Sequence, residues 1–204
     1  MTTGRAEAFS DGVFAVAITL LIIDVKATGI GTLTQQLLHS WPQYLAYVVS
    51  FLTIGIMWMN HHTILAHVAR VDRPLLVLNL LLLMGIVAIP FPTALVAEHL
   101  QHEGATAAAV TYGLVMIAIS FAFSGLWIYV VTHAPALGAS LPPEALRASI
   151  PGFTGGLIAY VVGTAIAFLS PLAAVIIFGA LAVYYLFEHL PGPDSEAEPG
   201  PADG

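Results

Sequence analysis

The sequence predicts an all-α integral membrane protein with six transmembrane helices, and three observations support this. Apolar residues make up 58% of the 204 residues and charged residues only 8%, and the mean hydropathy is +0.90. A soluble domain carries roughly a quarter charged residues, so lipid must cover most of this surface. The apolar residues also fall into six runs, and a helix of about 20 such residues crosses a bilayer.

The six runs are bounded by residues that begin or end helices. Ser40 before Pro42 offers an N-cap and an early helical proline for the second run, and Asp72 before Pro74 does the same for the third. Pro171 divides the last apolar run into a tight hairpin, because proline cannot continue the helix before it. Pro90 and Pro92 are expected to kink the third run. The predicted spans are 7–25, 42–68, 74–97, 105–132, 152–169 and 171–189.

The cationic residues predict the orientation, because cytoplasmic loops carry an excess of lysine and arginine. If the N-terminus is inside the cell, Lys26 is the only one of the five cationic residues that lies outside. Both termini are therefore predicted to be cytoplasmic, and residues 27–40 form an outer loop with a short interfacial helix near 34–38. The residues predicted to be cytoplasmic are Arg5, Arg70, Arg73 and Arg147.

Composition predicts one membrane domain and excludes several functions. Residues 1–190 are expected to form this domain, and residues 191–204, rich in proline, glycine and acids, to form a disordered tail. Five basic residues do not make a nucleic-acid-binding surface. No cysteine is present, which excludes disulfides and thiolate metal sites. The N-terminus lacks a cleavable signal pattern, so the first run should remain as a membrane helix.

No site for catalysis, a cofactor or a metal is predicted. No span contains two plausible catalytic groups at a useful spacing, so the chain is not expected to be an enzyme. His61 and His62 diverge around a helix, and His62 and His67 are five residues apart, unlike the i,i+4 pair of a helical zinc site. Hydrogen-bonded structural histidines are the simpler interpretation, and a pH-sensing role stays open.

The first run can present one helix face to a central pore. On an α-helix, residues 16, 19 or 20, and 23 share a face, which carries Val16, Thr19 with Leu20, and Ile23. Several copies around an axis would form apolar rings with a hydroxyl layer between them. Such rings gate pores by dewetting, and hydroxyls replace part of an ion's hydration shell. The alternative is an ordinary buried helix whose threonine bonds to its own backbone, and spacing alone favours it.

Three stretches resemble the transmembrane protein 175 family of potassium channels. The first is Arg5-x-x-x-Phe9-Ser10-Asp11, at the start of the first membrane helix. The second is Trp-Met-Asn-His-His at 58–62, and the third runs from 71 to 93 and includes Asn79, Pro90 and Pro92. Together they span about residues 5–93, and the six-helix length is similar to that of single-repeat prokaryotic members.

The resemblance implies a homotetramer with four copies of the first helix around the pore. Val16 then takes the position of the constricting residue, Thr19 that of the selectivity-linked threonine, and Ile23 a further apolar layer. Leu20 lines the pore in some members. Valine is smaller than the isoleucine or leucine usual at position 16, which implies a wider gate.

The same resemblance implies a network near the cytoplasmic side that anchors the pore helix. Its members would support the pore rather than touch ions, with the phenylalanine packed beside the polar residues. The implied members are Arg5, Phe9, Ser10, Asp11, Trp58, His61 and Asn79.

The implied function is passive potassium conduction, modestly selective over sodium, through a hydrophobic gate. The chain lacks a TVGYG-like filter, so selectivity would come from side chains of the helix. The expected setting is the plasma membrane of a prokaryote, with lipid, potassium ions and further copies of the chain as partners. Two alternatives stay open: a secondary transporter, which would favour inverted repeats and broken helices, and a membrane scaffold without transport activity.

Overall fold

A computed structural model describes residues 3–27, 29–140 and 150–187 of the chain. The predicted tail at 191–204 and Arg147 lie outside these residues. The fold is a bundle of α-helices, as predicted, and the helices are numbered here in chain order. They are α1 (Thr3–Leu20), α2 (Leu33–His39), α3 (Trp41–Ala66), α4 (Arg73–Ala88), α5 (Pro90–His99), α6 (Ala105–Thr132), α7 (Ala134–Leu137), α8 (Ile150–Ile166) and α9 (Pro171–Phe187).

Among the described residues, four stretches are long and apolar enough to cross a membrane, and they coincide with the first four predicted spans. They are Thr3–Asp24, Trp41–Ala66, Arg73–His99 and Ala105–Thr132. The fourth matches its predicted bounds. The fifth and sixth predicted spans correspond to α8 and α9, which are shorter apolar helices of 17 residues each. They form the hairpin expected at Pro171.

The first span does not continue as an α-helix to its end. It changes at Leu21 to a 3-10 turn (Leu21–Asp24), and Val25 is extended. Such turns are frequent at helix C-termini because they satisfy carbonyl groups that lack an α-helical partner. Residues three apart eclipse each other in a 3-10 helix. Ile23 therefore lies over Leu20, which itself follows Val16 by four residues on α1.

The third span is interrupted at Ile89, beside the two prolines that were expected to kink it. α4 ends at Ala88, and α5 begins at Pro90. Pro90 and Pro92 have no N–H, so Ile86 and Ala88 lose the donors that an unbroken helix would give their carbonyls. The amide of Ile89 bonds to the Ile86 carbonyl at 3.1 Å instead.

One of the two predicted N-caps is present in the structure and the other is not. Asp72 caps α4 as expected, and its Oδ1 accepts from the Leu75 amide at 3.0 Å. Ser40 precedes α3 but does not cap it, because its hydroxyl donates to the Gln36 carbonyl of α2 at 2.9 Å. α2 itself begins with a capping box between Thr32 and Gln35.

The helices pack so that α1 lies on one side of the bundle. α6 contacts α4, α5, α8 and α9, whereas α1 packs on α3 and α4. Close approach depends on small residues, as is usual between membrane helices. Gly85 of α4 lies against Ile119, and Gly113 of α6 lies against Thr164 of α8. Among the residues that the structure describes, one face of α1 thus has no neighbour in the single subunit.

Candidate functional site: the exposed face of the first helix and its polar anchor

A buried hydrogen-bonded chain joins α1, α4 and α3 near the end of the bundle where α1 begins. Asn79 of α4 donates from Nδ2 to Ser10 Oγ of α1 at 3.0 Å. Its Oδ1 accepts from His61 Nε2 of α3 at 2.7 Å, because an amide oxygen can only accept. The Ser10 hydroxyl donates to the Ala6 carbonyl at 2.9 Å. All three side chains are buried, and we call them the Asn79 triad.

A second, more exposed contact joins α1 and α3 beside this triad. Trp58 Nε1 donates to Asp11 Oδ1 at 2.8 Å. One turn closer to the start of α1, His62 Nδ1 lies 2.8 Å from Glu7 Oε1. The Trp58 and His62 rings stack, with centroids 6.2 Å apart. Two residues four apart on α1 therefore meet two residues four apart on α3.

Two residues of the expected network lie elsewhere in the single subunit. Arg5 and Phe9 are exposed, and Phe9 keeps 55% of its surface accessible. Within the described part of the chain, the contact of His62 with Glu7 is the only close one between a basic and an acidic side chain, so Arg5 does not pair with Asp11. Phe9 thus does not pack beside the triad within its own subunit.

Sequence reasoning missed the contact between Glu7 and His62. Glu7 and Asp11 are spaced i,i+4 on α1, and Trp58 and His62 are spaced i,i+4 on α3. Residues at this spacing lie on one helix face. Two such faces on antiparallel helices are the signal that could have indicated the pairing.

The candidate pore residues lie on the exposed face of α1. Val16 and Ile23 keep 56% and 60% of their surfaces accessible, and Leu20 is also exposed. The exposed Thr19 donates its hydroxyl to the Val16 carbonyl at 2.9 Å, which is the back-bonding that the alternative interpretation expected. The hydroxyl oxygen can still accept or coordinate, because it has two lone pairs. We call Val16, Thr19, Leu20 and Ile23 the pore face.

The opposite side of the first span is buried against the bundle through Phe14 and Ala17 of α1 and Leu21 of the 3-10 turn. Only 28% of the most apolar stretch of this first span is buried, against 33% in the third span and 50% in the second and fourth. The described residues of the subunit therefore leave the pore face exposed.

The histidines have separate partners. His61 belongs to the Asn79 triad, His62 pairs with Glu7, and His67 Nδ1 lies 2.9 Å from Ser140 Oγ. Among residues 3–27, 29–140 and 150–187, no group of three or more histidine, cysteine or acidic side chains could hold a metal ion.

Comparison with known proteins identifies the family. Residues 5–90 match the family model described as the endosomal/lysosomal potassium channel TMEM175. A potassium channel of Streptomyces collinus is 47% identical over 199 residues, which cover 96% of this chain and 97% of the relative. A potassium channel of Chamaesiphon minutus is 41% identical over 90% of this chain and 93% of the relative.

A solved structure gives the same result. The fold is similar to the crystal structure of a lysosomal potassium-selective channel TMEM175 homolog from Chamaesiphon minutus, with a TM-score of 0.81 and 40% identity. The match covers 90% of this chain and 96% of that chain. The chain is thus a membrane protein that belongs to the TMEM175 family, whose members are ion channels and not enzymes.

Proposed function

We propose that this chain is the subunit of a homotetrameric potassium channel in the plasma membrane of a prokaryote. Four copies of α1 surround the pore, and potassium moves passively down its gradient without a cofactor. The observation that carries the proposal is the exposed pore face on a helix whose other side is buried. Relatives that match over nearly the whole chain are named potassium channels, which supports the same function.

We place six spans in the membrane, with both termini cytoplasmic. α8 and α9 have 17 residues each, which corresponds to about 25 Å of helix at 1.5 Å per residue. That length is close to the hydrocarbon thickness of a bilayer. The orientation puts Arg5, Arg70 and Arg73 in the cytoplasm and Lys26 outside.

The pore face supplies both a gate and a site for ions. Rings of Val16 and of Leu20 with Ile23 would exclude water from a narrow passage, and loss of water raises the barrier for ions. The Thr19 hydroxyls lie between these rings and can replace part of the hydration shell. Selectivity from such side chains is modest, because no array of backbone carbonyls surrounds the ion.

The Asn79 triad and the Asp11–Trp58 bond hold this face toward the axis. A rotation of α1 by roughly 100 degrees, one residue's worth, would bring a different side chain to the axis. Hydrogen bonds from two neighbouring helices oppose that rotation. These residues therefore act as anchors and do not contact ions.

A flux assay with liposomes tests the function. Purified protein in potassium-loaded vesicles should give passive, electrogenic potassium efflux that grows linearly with the gradient. Saturable efflux that depends on a second ion would indicate a secondary transporter. No flux above that of empty vesicles would indicate a scaffold.

A further inference from the structure

The interruption of the third span at Ile89 lies beside three buried hydroxyl groups from three helices. Thr93 is in the first turn of α5, Ser50 is on α3, and Tyr112 is on α6. Ser50 Oγ lies 2.8 Å from Thr93 Oγ1 and 3.1 Å from Tyr112 Oη. None of the three keeps more than 3% of its surface accessible. We call them the hydroxyl relay.

The protons of the relay have one consistent arrangement. Thr93 donates to the carbonyl of Ile89 at 2.8 Å, and a hydroxyl has only one proton. Ser50 must therefore donate to Thr93, and Tyr112 must donate to Ser50. The relay runs from α6 through α3 to the backbone of Ile89, the residue between α4 and α5. Removal of one member leaves a buried group without its partner.

The relay acts where the third span is weakest. Pro90 and Pro92 remove two backbone donors, so fewer hydrogen bonds of the helix itself hold α5 in line with α4. Thr93 adds a contact that holds α5 in place, because its hydroxyl bonds both to the Ile89 carbonyl and to Ser50 of the neighbouring helix α3.

The position of α5 matters for the end of α1. α5 packs against the 3-10 turn (Leu21–Asp24), and Leu21 in that turn is buried. Ile23 is carried by the same turn and is exposed on the other side. A change in the angle of α5 therefore moves the backbone that carries Ile23, while Val16 lies two turns away.

We propose that Ser50, Thr93 and Tyr112 are positioning residues that fix the angle of α5 and thereby the width of the outer end of the pore at Ile23. This inference rests on the proposed function, in which Ile23 lines the pore. The residues contact no ion and act through α5 and the 3-10 turn.

Cysteine accessibility tests the inference, because the chain contains no cysteine. Ile23→Cys and Val16→Cys are introduced singly, and the rate of current block by a cationic methanethiosulfonate reagent is measured in planar bilayers. Thr93→Val and Tyr112→Phe should each change the rate at position 23 about fivefold, the effect of one buried hydrogen bond on an equilibrium. The rate at position 16 should change less than about twofold.

Two further variants separate positioning from general destabilisation. Thr93→Ser keeps the hydroxyl and should restore the original rate at position 23. Thr111→Val removes a hydroxyl that bonds only to its own helix, at the Ala107 carbonyl, and should leave both rates unchanged. Equal changes at positions 16 and 23, or no change at 23 in Thr93→Val and Tyr112→Phe, would overturn the inference. If neither cysteine reacts in the parent channel, the pore face itself is wrong, and the inference fails with it.

Discussion

Asn79 donates from its amide nitrogen to the Ser10 hydroxyl across 3.0 Å, which joins the middle of α4 to the helix that carries the pore face. The same amide accepts from His61. One side chain therefore connects three helices at a buried point, where an unpaired polar group is costly.

Replacement of Asn79 should destabilise the subunit. Asn79→Leu keeps a similar volume but leaves the buried His61 N–H without an acceptor, which costs about 1–3 kcal/mol. We expect a lower melting temperature in detergent. Asn60→Leu, which changes an amide on α3 outside the triad, is the control and should have little effect. Equal melting temperatures for Asn79→Leu and the parent protein would contradict this role.

The Asp11–Trp58 bond should affect assembly and gating rather than ion preference. Asp11→Ala and Trp58→Phe remove the same 2.8 Å bond from its two ends. Each should lower tetramer yield or open probability, and the double variant should lose little more, since residues that share one bond are not additive. The permeability ratio of potassium to sodium should stay unchanged. Unchanged tetramer yield and open probability in Asp11→Ala would refute the role of this bond in anchoring α1.

Asp72 gives a pH dependence that can be measured in the folded protein. The hydrogen bond from Tyr129 Oη at 2.6 Å lowers the pKa of the Asp72 carboxyl below its ordinary value, and the Leu75 amide acts in the same direction. A carboxyl whose pKa is lowered in the folded protein stabilises the fold at pH values above its ordinary pKa. This contribution is lost as the pH falls through the lowered value.

Tyr129→Phe removes the largest cause of that shift. The acid-induced loss of stability should therefore be smaller than in the parent protein and should end at a higher pH, as followed by melting temperature against pH. Asp72→Asn is the control. The difference in melting temperature between this variant and the parent protein should vanish at the acid end of the titration. If the fall in melting temperature at acid pH has the same size and the same pH range in Tyr129→Phe as in the parent protein, the hydrogen bond does not lower the pKa of Asp72.

The contact between α6 and α8 should not tolerate a larger side chain. A Cβ atom on Gly113 would lie 2.9 Å from Thr164 Cβ, closer than packed carbons approach. Gly113→Ala should therefore cost about 1–3 kcal/mol, seen as a lower melting temperature. Gly125→Ala on the same helix meets no atom within 4 Å and should be neutral or stabilising. A stable Gly113→Ala variant would show that α8 can shift.

The sequence predicted the membrane helices well because their signals are local. The bounds of α6 follow from hydropathy, and the interruption of the third span at Ile89 follows from the missing backbone donors of Pro90 and Pro92. The 3-10 turn at Leu21 was missed, since nothing in an apolar run marks a change of helix type. The short helix α7 was missed because four residues give no periodicity.

The polar anchor was predicted only in part. Ser10, Asp11, Trp58, His61 and Asn79 were named through the family motif, but the motif does not say which of them touch. The structure divides them into a buried triad and an exposed pair, and it adds Glu7 and His62. Which faces of two helices meet depends on the packing of the whole bundle, and this information is not local to either helix.

Planar-bilayer recording of the parent protein beside Thr19→Ala and Val16→Asn tests the pore face most directly. Thr19→Ala should lower the preference for potassium over sodium, because the hydroxyl layer is lost. Val16→Asn should raise conductance, because a polar ring wets the constriction. If ion preference survives Thr19→Ala and conductance is unchanged in Val16→Asn, ions do not pass along this face of α1.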